Sequence, residues 1–204
     1  MDGNGVAPRL DLVLESKWCS SFHPFLQKGV GVEAPVGISV RAFLCGELGL
    51  TPEYVETTVQ TVFLNGRAVD DLDGALIENG STLALSAAMP GLLGATLRRG
   101  GFYAAMRSQI SYHAPESRGS GTGRILVKIF NLLLEGAGRV LLERGVWVDS
   151  KDLEELFRKV PEDFWSAIRE SKLDGRSITA LDLRRMEWGG EEVFLRVNPV
   201  EGQD

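Results

Sequence analysis

Leu10, Leu12 and Leu14 alternate with polar Asp11 and Glu15, the period-two pattern of a strand with one buried face; Val127, Ile129 and their neighbours begin a second such segment. Gly29 and Gly145 each precede a short β-branched run, residues 30–32 and 146–148, so a second strand follows in both places. Ser39 ahead of residues 40–48, with Gly49 behind them, reads as N-cap, helix and stop, and Ser150 ahead of residues 151–159 repeats the cap. Thr51 and Val160 then precede Pro and Glu, and proline at a first helical position predicts a short second helical turn. Residues 57–64 are strongly β-forming, and Asn65-Gly66 after them is a preferred two-residue hairpin turn, with Asp174-Gly175 the equivalent. Asn79-Gly80 and Gly189-Gly190 turn the chain into final strands at residues 82–86 and 193–197. Residues 168–173 occupy the place of a strand but look helical in isolation.

These parallels are an internal repeat. Residues 25–33 align with 141–149 at an offset of 116, and residues 44–73 align with 153–182 at an offset of 109, pairing Pro52 with Pro161, Gly66 with Gly175, Arg67 with Arg176 and Asp73 with Asp182. The surplus of seven in the first copy falls around residues 34–40, a Pro/Gly segment that tolerates insertion. The expected organisation is a first domain at 9–91, a connector at 92–123 and a second domain at 124–202.

Composition changes this picture little. A chain of 204 residues with 44% hydrophobic and 25% charged residues is in the globular range. The start lacks a basic, apolar leader and no run reaches the roughly 18 apolar residues of a membrane span, which leads to the expectation of a cytoplasmic protein without a membrane partner. The net charge of −6 makes the chain a poor match for a phosphate backbone, so no nucleic-acid partner is expected. Only the connector is basic, with Arg98, Arg99, Arg107 and Arg118 against Glu116. Cys19 and Cys45 are too few for a disulfide framework or a thiolate metal site, and buried thiols are expected.

The element order strand, strand, helix, strand, short strand, strand, with the run Val62, Phe63, Leu64, Asn65, Gly66, Arg67 and the turn at residues 78–81, resembles the β-grasp fold. The exits Ala88-Met89-Pro90-Gly91 and Asn198-Pro199-Val200-Glu201-Gly202 make it similar to the sulfur-carrier proteins of molybdopterin and thiamine biosynthesis, relatives of ubiquitin. The resemblance implies an α+β chain of two tandem β-grasp (ubiquitin-like) units, each a small mixed sheet packed on a helix. It also implies a protein partner such as an adenylating or sulfur-transfer enzyme, and no cofactor. Carriers of that family act through a terminal diglycine, and this sequence departs there: Gly94 is followed by further chain, and Gly202 by Gln203 and Asp204. A carboxyl group inside a peptide bond cannot be activated.

The connector holds the candidate sites. Leu97, Arg98, Arg99, Gly100 and Gly101 look like the tail of ubiquitin, so Gly94, Gly100, Gly101 and Gly202 are the candidate processing tail. The plainer alternative is a hairpin turned by Gly100 and Gly101 between residues 95–97 and 102–106. Arg98, Arg99, Phe102, Tyr103 and Arg107 are the candidate partner surface, because arginine and aromatic residues are enriched at interface hot spots. The Gly-rich stretch at residues 119–123 lacks the strand-helix setting of a phosphate loop and reads as linker. Cys19 with His23 makes neither a zinc site nor a nucleophile pair, and Trp18, Phe22 and Phe25 read as apolar contacts of a short helix ending near Pro24. Asp70, Asp71 and Asp73 lack a calcium-loop pattern, and Phe164, Trp165 and Trp188 are expected in the core. With no catalytic triplet visible, non-enzymatic protein binding is the expectation. A proteolytically activated carrier or modifier, and an enzyme with a site between the copies, are the alternatives.

Overall fold

A computed structural model describes residues 7–102, 112 and 120–202. In chain order the elements are β1 (Arg9–Glu15), α1 (His23–Lys28), β2 (Val30–Pro35), α2 (Val40–Ala42), α3 (Pro52–Thr57), β3 (Thr61–Leu64), β4 (Arg67–Ala68), β5 (Thr82–Ser86) and α4 (Gly91–Leu97). There follow β6 (Thr122–Phe130), α5 (Arg139–Arg144), β7 (Val146–Asp149), α6 (Ser150–Lys159), α7 (Glu162–Ser166), β8 (Ile168–Leu173), β9 (Arg176–Ser177), α8 (Ala180–Arg184) and β10 (Glu192–Val200). The class is α+β, with parallel and antiparallel pairing mixed.

The chain divides into a central unit, Leu26–Gly138, and a terminal unit made of Met1–Phe25 and Arg139–Asp204. In the central unit the strands run β2-β6-β5-β3-β4: β6 pairs antiparallel with β2 and parallel with β5, and β5 and β4 pair antiparallel with β3. Alternation puts Val30, Val32, Val62, Leu64, Leu83, Leu85, Ile125, Val127 and Ile129 in the core at 1% exposure or less. Val40, Phe43 and Leu44, on α2 and the π-helical turn Phe43–Glu47 after it, are also fully buried. In the terminal unit the order is β7-β10-β1-β8-β9, with β1 parallel to β10 and antiparallel to β8. Leu10, Leu12, Leu14, Leu195 and Val197 are fully buried there, as are Phe22 and Phe164.

The compact units therefore do not coincide with the sequential copies. Strand β6, which opens the second copy in sequence, lies between β2 and β5, while β1 lies between β10 and β8. Each central strand presents the same alternating apolar face, and each continues into a helical segment, Ser16–Phe22 with α1 after β1, and Asn131–Gly138 with α5 after β6. Local pattern alone leaves open which sheet receives which strand.

Turn and cap chemistry decides the element ends. Asn65 and Gly66 have φ of 52° and 75°, and Asp174 and Gly175 have 50° and 77°, the two left-handed positions of a type I′ turn. Ser39 Oγ accepts from the Ala42 amide, and Thr51 Oγ1 from the Tyr54 amide with Pro52 at the first helical position. In the second copy the cap of α6 is Asp149, one residue earlier than expected, accepting from the Lys151 and Asp152 amides. Residues 168–173 take the strand place that the repeat gives them, as β8, because pairing with β1 on one side and β9 on the other overrides helical propensity. Two other local expectations are corrected. The helix bearing Trp18 and Phe22 does not stop near Pro24: a 3-10 turn, Ser16–Phe22, leads into α1, whose first turn holds the proline without losing an internal hydrogen bond. Residues 95–97 belong to helix α4 and are not a hairpin strand.

Candidate functional site

The connector is tied to the central unit at several points, and Arg99 makes the most contacts among them. Helix α4 ends as the Arg98 amide donates to the Gly94 carbonyl (3.0 Å), and a turn closes with the Gly101 amide donating to the Arg98 carbonyl (3.2 Å). Within that turn the Arg99 amide donates to the Gln60 carbonyl at 2.7 Å. Its guanidinium Nη2 reaches the Val55 carbonyl (3.0 Å), the Val59 carbonyl (3.3 Å) and Glu56 Oε2 (3.2 Å). Carbonyls at the end of a helix have no partner inside it, and Arg99, with 11% of its side chain exposed, supplies one to α3.

Around this anchor the charges are shared. Glu56 Oε1 accepts from Arg41 Nη1 (2.6 Å), and Arg41 Nε reaches Asp73 Oδ2 (2.9 Å). The Arg41 hydrogen bond first, and the nearby Arg99 charge second, hold the Glu56 carboxyl below its usual range, while Glu56 and Asp73 raise Arg41 above its own. The Gly100 amide donates to Asp70 Oδ1 (2.9 Å), and Asp71 Oδ1 accepts from the Asp73 amide (2.9 Å). The acidic trio thus fastens loops.

The connector also carries exposed apolar side chains. Leu92 is 69% exposed, Leu93 71% and Phe102 91%. Phe102 stands at the edge of a hollow of about 310 Å³ lined by Met89, Gly91, Gly94, Ala95 and Arg98. Gly94 is buried, and a Cβ there would lie 2.0 Å from the Met89 carbonyl oxygen, so the tight bend into α4 requires glycine.

Of the residues expected at a partner surface, Arg98 is exposed and bonded to Gln60 Oε1 (2.5 Å), Phe102 is the most exposed large apolar side chain among the described residues, and Arg99 is turned inward as a fastener. Tyr103 and Arg107 lie outside the described residues. Among the expected tail glycines, Gly94 is in a helix, Gly100 and Gly101 are in the docked turn, and Gly202 follows β10 in the terminal unit. Leu92 and Leu93 were not singled out in the sequence, although a Leu-Leu pair flanked by glycines carries the signal. Cys19 and Cys45 are half-buried thiols outside any disulfide, rather than the buried thiols expected. Among the described residues no three His, Cys, Asp or Glu side chains converge as metal ligands, and no helix is long and apolar enough to cross a membrane. Phe164, Trp165 and Trp188 are buried. No family model, curated protein or solved structure matches the chain.

Proposed function

We propose that the chain is a non-enzymatic protein-interaction protein of tandem β-grasp descent, related to the sulfur carriers, whose partner seats on the exposed apolar side chains of α4 and the turn after it. The observation that carries the proposal is the exposure of Leu92, Leu93 and Phe102 on a segment fixed by Arg99. An apolar surface held rigidly in place presents a binding face at low entropic cost. The β-grasp part is supported by a mixed sheet with a buried helix and an Asn-Gly or Asp-Gly hairpin in each unit. Affinity capture from native cells tests it. Wild-type chain retains a stoichiometric partner and the Leu92→Asp/Leu93→Asp variant loses it; a monomer that retains nothing, or equal capture by both, sinks the proposal.

A processed carrier fits less well, because residues 98–101 are folded onto the central unit through Gln60, Val55 and Asp70. It requires a new carboxyl terminus at Gly94, Gly101 or Gly202, and an intact mass from native cells equal to the full chain rejects it.

A further inference from the structure

The two copies treat one loop differently. In the central unit the Gly37 amide donates to the Ile77 carbonyl (2.7 Å), the Ile77 amide to the Ile38 carbonyl (2.9 Å) and the Val40 amide to the Ala75 carbonyl (2.8 Å). Ser39 and Leu76 form an antiparallel bridge between these contacts. The seven-residue surplus of the first copy is thus an extended strip laid on the loop that contains buried Ala75 and Ile77.

Two residues further along than the offset of 109 that pairs Leu72 with Leu181, Leu183, Met186 and Trp188 of the terminal unit repeat the spacing of Leu72, Ala75 and Ile77, three residues and then two, and each series ends five residues before the start of the expected final strand, Val193 and Thr82. Leu183 and Trp188 are buried like their counterparts. The strip has no equivalent, because β7 ends at Asp149 and α6 starts at Ser150. The Trp188 amide turns instead to Glu154 Oε1 (3.0 Å). Among the described residues the Glu187 and Gly189 amides donate to nothing.

A cleft of about 740 Å³ lies between this loop and α6, with Phe157 and Trp188 among its lining residues. Arg158 on α6 and Glu187 on the loop also line it, and neither has an ion-pair partner among the described residues. The strip that covers the matching loop in the first copy begins after an acid and ends before a base, Glu33 and Arg41.

We propose that the cleft of the terminal unit accepts an extended peptide segment of a partner protein, patterned like this chain's own Glu33–Arg41. Its main-chain amides donate to the Met186 and Trp188 carbonyls, as those of Val40 and Gly37 donate to Ala75 and Ile77, while the Trp188 amide stays on Glu154; its small and β-branched side chains lie beside Phe157 and Trp188, and its terminal acid and base meet Arg158 and Glu187. Main-chain pairing supplies affinity in such a mode, and the flanking charges set direction.

The probe is a fluorescein-labelled peptide of residues 33–41 titrated with the full chain and read by anisotropy. Saturable binding at roughly micromolar to sub-millimolar concentration is expected. Gly189→Trp blocks the cleft: a Cβ at Gly189 meets nothing within 4 Å, so the side chain enters open space, and binding weakens by about tenfold or more. Arg158→Glu, at an exposed position, weakens it about threefold, and carries the test if the tryptophan variant does not fold. Absence of saturation at about 1 mM chain, or no loss of affinity in a folded variant, overturns the proposal. Self-association of the wild-type chain that Gly189→Trp abolishes would assign the cleft to a second copy and overturn the heterologous partner.

Discussion

Arg99 shows how one side chain can convert a connector into part of a domain. Its Nη2 donates to the Val55 carbonyl and Glu56 on α3 and to the Val59 carbonyl just beyond it, so Arg99→Ala leaves both carbonyls without this donor and loosens the connector. The expected loss is about 2 kcal/mol, seen as a lower urea midpoint. An unchanged midpoint in Arg99→Ala refutes the fastening role. Glu56 adds a pH dependence whose sign follows from its lowered folded-state pKa. Its contribution is fully present above the ordinary carboxylate pKa of about 4.3, and is lost as pH falls through the lower folded value. Glu56→Gln should therefore flatten the decline of stability between about pH 5 and 3 in urea titrations; an identical slope in both proteins counts against the Arg41–Glu56–Arg99 network. The arginine was visible in the sequence, but its direction was not: pattern finds a basic connector, and only the end of α3 turns one of its arginines inward.

At the scale of elements, local chemistry was legible wherever a residue pair fixes backbone geometry. The Asn65-Gly66 and Asp174-Gly175 turns, the Thr51-Pro52 start of α3 and the Ser39 cap were all readable, because each depends on neighbours in sequence. Residues 168–173 were not, because Arg169, Glu170 and Lys172 are good helix formers and only the flanking strands β1 and β9 make this stretch a strand. The repeated glycine before β2 and β7 had a reason that the sequence hid. Gly145 sits at φ +100°, and a Cβ there would lie 2.3 Å from the Phe194 ring, which packs edge-on to Trp147 at 5.1 Å. Gly145→Ala therefore combines backbone strain with a clash, and should lower stability by roughly 1–3 kcal/mol. Calorimetry should show part of the loss recovered when Phe194→Leu is added; no recovery would put the whole effect in the backbone.

At the scale of the molecule, the repeat was legible but its pairing was not, since β1 and β6 carry interchangeable instructions. Leu12 and Val127 are both fully buried, Leu12 paired with Val197 and Ser171, Val127 with Val30 and Leu83. If strands stayed within their sequential copies, damage at Leu12 would loosen β2 to β5, and damage at Val127 would loosen β7 to β10. The observed register requires the reverse. Leu12→Ala, at a cost of about 2–5 kcal/mol, should accelerate amide exchange in β8 and β10 while Val62 and Leu83 keep their protection. Val127→Ala should accelerate exchange in β2 and β5 and spare Leu195. Because residues 1–25 and 139–204 share one unit, injury to β1 and injury to β10 are read out in the same strands. Exchange data in which Leu12→Ala instead exposed β2 and β5 would return each opening strand to its own copy.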